Sequence, residues 1–157
     1  SLNGRAKEGL IFYAAAYSLA TIGVFAVLIK MKDYTFEGFN GLGKREPVLA
    51  ATNTVFLLSL AGIPATAGFM AKFYMLSATI ANGHVFWLVL LAIGCAAISV
   101  YYYFRVIQAM YFKEGEEEHA IATTPVFKAL LVVVAVLLIV LGLFPQWLID
   151  NLYNPGF

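Results

Sequence analysis

Charged side chains are scarce in this sequence. Asp, Glu, Lys and Arg make up 12% of its 157 residues, against about 25% in average soluble domains. Hydrophobic residues make up 62%, above the usual range of about 45–50%. So few polar side chains cannot cover the surface of a soluble domain. The composition therefore excludes a soluble globular protein and favours a protein that lies in a lipid bilayer.

Other shortages exclude further functions. The net charge of +1 leaves no basic face to neutralise phosphates, so nucleic-acid binding is excluded. Cys95 is the single cysteine, so it forms no disulfide within the chain and cannot by itself hold an iron–sulfur cluster. No dinucleotide-binding fingerprint occurs. His119 follows three glutamates, and a solvated loop explains this pattern better than a metal site. We therefore predict that this chain holds no cofactor and no metal.

Four apolar segments are present, at about residues 10–29, 48–81, 85–111 and 126–148. About 20 apolar residues cross a bilayer once as a helix. An isolated strand in lipid would leave its backbone groups unpaired, so each segment is predicted to be helical. The sequence thus predicts an all-α, polytopic transmembrane bundle of four helices. The last helix is almost entirely Leu, Val, Ile and Ala, and is expected at the bundle edge, facing lipid.

The distribution of lysine and arginine predicts the orientation. Most basic residues lie in or beside the loops at residues 30–46 and 112–125, whereas only Arg5 and Lys7 lie on the opposite side. The tight turn predicted at residues 82–84 is also on that opposite side. The positive-inside rule therefore places the two long loops in the cytoplasm and both ends of the chain in the periplasm.

The second apolar segment is longer than one crossing requires, and Gly62 and Pro64 lie near its centre. Proline removes a backbone donor and clashes with the preceding turn, while glycine tolerates irregular dihedrals. The sequence predicts a helix broken between these two residues. Many transporters build ion sites at such breaks. Taken alone, however, a packing kink is nearly as good an explanation.

Lys72 is the only Asp, Glu, Lys or Arg between Pro47 and Phe104. A lysine at mid-membrane costs about 2.5–3.5 kcal/mol, so it should face a polar or hydrated interior. A low dielectric weakens its preference for the charged form, which lets it accept and release a proton. The alternative is that its long stem reaches an interface, but apolar sequence continues for about two turns beyond it. The break and the lysine together predict a buried proton site.

Several polar side chains are candidates for a proton path to this lysine. Ser59 and Thr66 flank the break. Thr79 shares a helix face with the lysine, and Ser99 lies at a similar depth on the third helix. Tyr101 begins the stretch YYYFR near the cytoplasmic end, where aromatic residues more commonly act as interfacial anchors.

Three stretches carry a resemblance to a known family: LSLAGIPATAGFMAKFYML, YYYFRV on the next helix, and LGLFPQWLIDNL near the end. They resemble antiporter-like proton-translocating subunits, in particular subunit N of bacterial NADH–quinone oxidoreductase, respiratory complex I. The resemblance covers essentially the whole chain. It implies that residues 1–157 are a C-terminal fragment of such a subunit, in the bacterial inner membrane.

This resemblance implies proton translocation within a redox-driven enzyme, with Lys72 as the proton carrier and no redox centre in this chain. The expected partners are antiporter-like neighbours and small membrane subunits of the complex, with lipid around them. The D component of multisubunit cation/proton antiporters is similar in the same motif and is the alternative. The stretches KFYML and YYYFRV favour subunit N.

Overall fold

The computed structural model describes residues 2–80, 86–115 and 121–147, apart from the side chains of residues 2–8, 78–79 and 86. Within these ranges the backbone contains helices, turns and loops but no strand, which confirms the all-α class. The predicted turn at residues 82–84 lies outside the described residues. The elements, in chain order, are α1 Leu2–Lys30, a 3-10 turn Glu37–Phe39, α2 Leu42–Arg45, α3 Pro47–Ala61, α4 Ala67–Ile80, α5 Phe86–Phe112 and α6 Pro125–Leu143.

Three of the described helices are long and apolar enough to cross a membrane. They are Gly9–Lys30 within α1, Trp87–Phe112 within α5, and the whole of α6. The second apolar segment of the sequence contains two shorter helices, α3 and α4, separated at residues 62–66. The chain is therefore a multi-pass membrane protein with an interrupted helical segment between its first and second long spans.

A proline lies at the start of α3 and another at the start of α6, and an ion pair connects these two helix starts. Pro47 and Pro125 each occupy the first helical turn, where the missing N–H of proline leaves no helical hydrogen bond unmade. Lys128 Nζ lies 2.7 Å from Glu46 Oε2. This pair joins the first turns of the two helices at one end of the bundle.

The core lies between α1, α3, α4 and α6. Phe12 and Ala20 of α1, Phe56 of α3 and Leu138 of α6 are at most 1% exposed. Gly23 of α1 faces the ring of Phe56, and a Cβ added there would lie 2.6 Å from it. The missing side chain therefore lets α1 and α3 pack closely.

The expectation that the last helix lies at the bundle edge is wrong for one of its faces. Leu131, Ala135 and Leu138 of α6 are buried, whereas Val133 and Val136 are more than half exposed. The helix α5 is exposed along most of its length. Hydropathy does not distinguish the two sides of α6, because the buried side and the exposed side are equally apolar.

The backbone of α6 comes closest to its neighbours at Gly142. A Cβ added there would lie 2.5 Å from Thr66 Cα and 2.7 Å from the Ala65 carbonyl oxygen. The helix therefore packs directly on the backbone that separates α3 from α4.

Replacing Gly142 by alanine should displace α6 from this contact. Overpacking costs about 1–3 kcal/mol, so we expect a lower apparent melting temperature for the full-length protein in detergent. The control is Gly94→Ala on α5, where an added Cβ meets no atom within 4 Å. Both changes raise helix propensity by a similar amount. A melting temperature for Gly142→Ala equal to that of Gly94→Ala would contradict the close packing.

Candidate functional site

The helix α3 ends at Gly62, which has a left-handed backbone with φ 81° and ψ 42°. The Gly62 N–H donates to the carbonyls of Leu58 and Ser59, and the Ile63 N–H donates to Leu58, each at 3.0 Å. This is the Schellman arrangement, which glycine favours because it has no Cβ. It satisfies two of the four carbonyls that a helix end leaves free. The last two carbonyls of α3 still need donors.

Lys72 of α4 supplies those donors. Its ammonium Nζ donates to the carbonyl oxygen of Leu60 at 2.8 Å and to that of Ala61 at 3.1 Å. Its stem passes over Gly62, where an added Cβ would lie 3.0 Å from Lys72 Cδ. The negative end of the α3 dipole faces this cation, which stabilises both. The lysine therefore completes the C-terminal cap of the helix before its own.

Ser59 makes the opposite contact, from α3 to the start of α4. Its Oγ accepts a hydrogen bond from the Gly68 N–H at 3.1 Å. That N–H is one of the donors that the first turn of a helix leaves unpaired. A Cβ added at Gly68 would clash with the Ser59 carbonyl oxygen, so glycine is needed for this approach. Each of the two helices thus supplies a side chain that caps the other.

A tight turn connects the two caps. The Ile63 carbonyl accepts from the Thr66 N–H at 3.3 Å and from Thr66 Oγ1 at 2.7 Å. Pro64 is the second residue of this turn and Ala65 the third, with φ 72°. This is the pattern of a type II turn, which places proline second and a positive φ third. A left-handed alanine costs about 1–2 kcal/mol, so the packing around the turn must hold it in place.

A small cavity lies beside the lysine, between α1, α3 and α4. Its volume is about 10 Å³, which approaches the space that one water needs. The polar side chains in its wall are those of Tyr13, Tyr17, Ser59 and Lys72. Lys72 is partly exposed, and none of the described charged side chains is fully buried. The predicted burial of the lysine is therefore not reached within this chain.

The predicted path residues near the break do lie beside it. Ser59 is 1% exposed and Thr66 is 6% exposed. Ser59 itself makes the contact with Gly68 that joins α3 to α4. Thr66 closes the turn between these two helices through its hydrogen bonds to the Ile63 carbonyl. Thr79 belongs to α4, but its side chain is outside the described part of the chain. Its predicted role stays a prediction.

The two candidates on α5 do not line the cavity beside Lys72. Ser99 is partly exposed, and its hydroxyl donates to the Cys95 carbonyl in the preceding turn at 3.0 Å. Tyr101 is 62% exposed and meets the ring of Tyr102 edge to face. The structure therefore does not bring these two side chains to Lys72.

Sequence reasoning missed two tyrosines of α1. The rings of Tyr13 and Tyr17 stack with their centroids 5.8 Å apart, and both line the cavity. The missed signal is their spacing of one helical turn, on the face that also carries Ala16 and Ala20. On α5, Tyr103 is the partly buried member of the YYY stretch.

These features define a class of protein: a helical membrane protein with an interrupted segment, in which a lysine of the second helix caps the end of the first. The chain belongs to the family described as NADH:quinone oxidoreductase/Mrp antiporter transmembrane proteins, whose profile matches residues 2–99.

The curated relatives include subunit N of NADH–quinone oxidoreductase from several bacteria. The one from Trichlorobacter lovleyi is 43% identical over 150 residues, which are 91% of this chain and 30% of the relative. The one from Flavobacterium psychrophilum is 43% identical over 152 residues, 92% of this chain and 32% of the relative. The chain therefore spans about a third of the length of these relatives.

Two solved structures are similar in fold. Respiratory complex I from Thermus thermophilus with bound aureothin contains a chain with TM-score 0.82 and 33% identity, covering 90% of this chain and 33% of that one. The Mrp complex from Dietzia sp. gives TM-score 0.72 and 19% identity, covering 95% of this chain and 38% of that one. The second likeness is one of fold alone.

Removing the Ser59 hydroxyl should loosen the first turn of α4. Loss of a capping acceptor costs about 0.5–2 kcal/mol. Ser59→Ala should therefore speed backbone amide exchange in residues 66–70, measured by hydrogen–deuterium exchange on the purified full-length protein. The control is Ser77→Ala, because the Ser77 hydroxyl donates to Tyr74 within the same helix. Unchanged protection of residues 66–70 in Ser59→Ala would refute the capping role.

Proposed function

We propose that this chain is part of a proton-translocating membrane subunit of an NADH–quinone oxidoreductase, with Lys72 as the proton carrier. The observation that carries the proposal is the Lys72 ammonium on the last two carbonyls of α3. The identity to subunit N relatives supports the enzyme assignment. The cation/proton antiporter alternative has weaker support, since the likeness to the Mrp complex is confined to the fold.

In this proposal α3 and α4 act as one broken transmembrane helix, which makes four crossings with α1, α5 and α6. The two helices have 15 and 14 residues. At about 1.5 Å per residue, neither alone spans about 30 Å of hydrocarbon. The interruption at residues 62–66 then lies near mid-membrane. Irregular backbone is tolerated there only where protein covers it or water reaches it.

The contact between the lysine and the helix end gives the site its chemistry. In the ammonium form, both hydrogen bonds to the carbonyls are charge-assisted and therefore strong. In the amine form they lose that charge, and the α3 end loses its counter-charge. A positive charge arriving nearby would favour proton release from Lys72. Parts of the complete protein outside this chain would cover its exposed side, which would give the buried lysine that the sequence predicts.

The redox energy would have to come from other subunits, because the proposal assigns no redox centre to this chain. It would arrive as an electrostatic or conformational signal along a buried polar axis. Antiporter-like neighbours and small membrane subunits of the complex are the proposed partners. The membership of the solved relatives in multi-subunit membrane complexes supports these partners.

We also propose that the loops at residues 30–46 and 112–125 face the cytoplasm of a bacterium and that both ends of the chain face the periplasm. The concentration of lysine and arginine in and near these loops supports this orientation. Arg45 and Glu114, one from each loop, line the same cavity of about 740 Å³. The two loops therefore share one end of the bundle.

Substitutions of Lys72 test the proton carrier. Lys72→Ala in the full complex should remove most coupled proton pumping while the complex still assembles. Lys72→Arg should fail too, because arginine keeps the charge but does not release a proton. Proton uptake by vesicles carrying the purified complex measures both. The control is Lys44→Ala, at an exposed lysine of α2. Near wild-type pumping by Lys72→Ala would refute the proposal, and full pumping by Lys72→Arg would reduce Lys72 to a structural charge.

Cysteine labelling tests the orientation. In a Cys95→Ser background, a cysteine introduced by Tyr34→Cys should react with a membrane-impermeant maleimide from the cytoplasmic side, since Tyr34 is 68% exposed. A cysteine introduced by Asn82→Cys, in the predicted turn, should react from the periplasmic side. Right-side-out and inverted vesicles separate the two. The reverse pattern of labelling would invert the proposed topology.

A further inference from the structure

The wall of the cavity beside Lys72 contains side chains that the proposed proton carrier leaves unexplained. Four polar side chains line this cavity: those of Lys72, Ser59, Tyr13 and Tyr17. The Ser59 hydroxyl already accepts a hydrogen bond from the Gly68 N–H, which leaves the two tyrosines of α1 to be explained. Two stacked tyrosines beside a titratable lysine in a membrane segment require a chemical explanation.

The packing of α1 holds these tyrosines in place. Ala16 and Ala20, which lie on the same face, are 2% and 0% exposed. Their small side chains let α1 lie close to α4, the helix against which it packs most extensively. The two tyrosine rings are nearly parallel, with an interplanar angle of 11°. The buried alanines therefore place this face of α1 beside Lys72, with the two tyrosine rings stacked on each other.

Tyrosine suits proton exchange with lysine. In water the two side chains have similar ordinary pKa values, of about 10 and about 10.4. In water the two groups therefore have similar proton affinities, which makes a tyrosine hydroxyl a suitable partner for proton exchange with an amine. Tyr17 is 52% exposed and also lines the cavity. It thus connects the space beside Lys72 with the outer face of α1.

We propose that Tyr17, stacked on Tyr13, is the proton-exchange partner of Lys72, acting through one water in the cavity that these three side chains line. This inference rests on the proposed function of Lys72. Tyr17 receives the proton at the outer face of α1, and Tyr13 stacks against it on the inner side.

The transfer conserves protons and charge. The Tyr17 hydroxyl gives its proton to the cavity water while that water gives one of its own protons to the lone pair of the neutral Lys72 Nζ. The resulting tyrosinate and ammonium attract each other strongly in a low dielectric. The tyrosinate then takes up a proton from the outer face of α1. The net result is one proton moved from that face to Nζ, with tyrosine and water restored.

Tyrosine-to-phenylalanine variants of the full-length complex in vesicles test the proposal. They keep the rings and their stacking but remove the hydroxyls. A positioned proton donor contributes about 10²–10⁴-fold to a rate, so the double variant Tyr13→Phe with Tyr17→Phe should pump at least about tenfold more slowly. Tyr102→Phe, at an exposed tyrosine of α5, is the control and should pump normally. All rates are compared at equal amounts of assembled complex.

A histidine at position 17 separates proton exchange from shape. Imidazole exchanges protons but fits the ring site less well than phenylalanine does. We therefore expect Tyr17→His to retain more pumping than Tyr17→Phe. The opposite order would show that the side chain acts through packing, and it would overturn the proposal.

The outcome for Lys72 distinguishes a failure of the tyrosine relay from a failure of the proposed function. If Lys72→Ala stops pumping and the double phenylalanine variant pumps like the wild type, the tyrosine relay is wrong and the proposed function stands. If Lys72→Ala pumps normally, the proposed function itself fails. A slow double variant with an inactive Lys72→Ala supports both.

Discussion

The hydrogen bonds from the Lys72 ammonium to the last two carbonyls of α3 are the interaction on which this structure depends. A helix that ends within a membrane leaves carbonyls that lipid cannot satisfy, and each unsatisfied group costs several kcal/mol. The Gly62 turn satisfies two of them, and Lys72 satisfies the others. In the proposed function, the side chain that completes this cap is also the one that changes its charge. Structure and chemistry at this point cannot be separated.

The surrounding helices connect the interruption to the rest of the bundle. The backbone of α6 packs on Ala65 and Thr66 through Gly142, although α6 presents no polar side chain to the site. On the other side, α1 lies against α4 through small residues and places two tyrosines in the cavity. A change in the cap of α3 would therefore alter packing contacts of α1 and α6, two helices that do not supply the Lys72 charge. This arrangement suits a device that converts a local change in charge into movement.

The sequence predicted the all-α class, but it did not predict the local contacts of Lys72. Scarcity of charge and long apolar segments identified an all-helical membrane protein, and cost alone singled out Lys72. Gly62 and Pro64 marked the interruption, yet nothing in the sequence showed that Ser59 and Lys72 would cap opposite helices. Ser99 was chosen by depth and Tyr101 as the first residue of YYYFR, and neither lines the cavity because depth does not determine which face of α5 meets the other helices. Tyr13 and Tyr17 were missed since hydropathy gives no contrast between faces when both are apolar. The burial of Lys72 depends on protein beyond this chain.

The reciprocal capping also fixes a set of distances along the chain. Ser59 and Gly68 are separated by 9 positions, and Leu60 and Lys72 by 12. One residue inserted into the connection would rotate α4 by about 100° about its axis, and both contacts would be lost together. The number of residues in the connection therefore matters more for these two contacts than the identity of most of its side chains. Such a fixed separation of serine, glycine and lysine can be sought in other membrane proteins, where it would identify the same double cap from the amino-acid sequence alone.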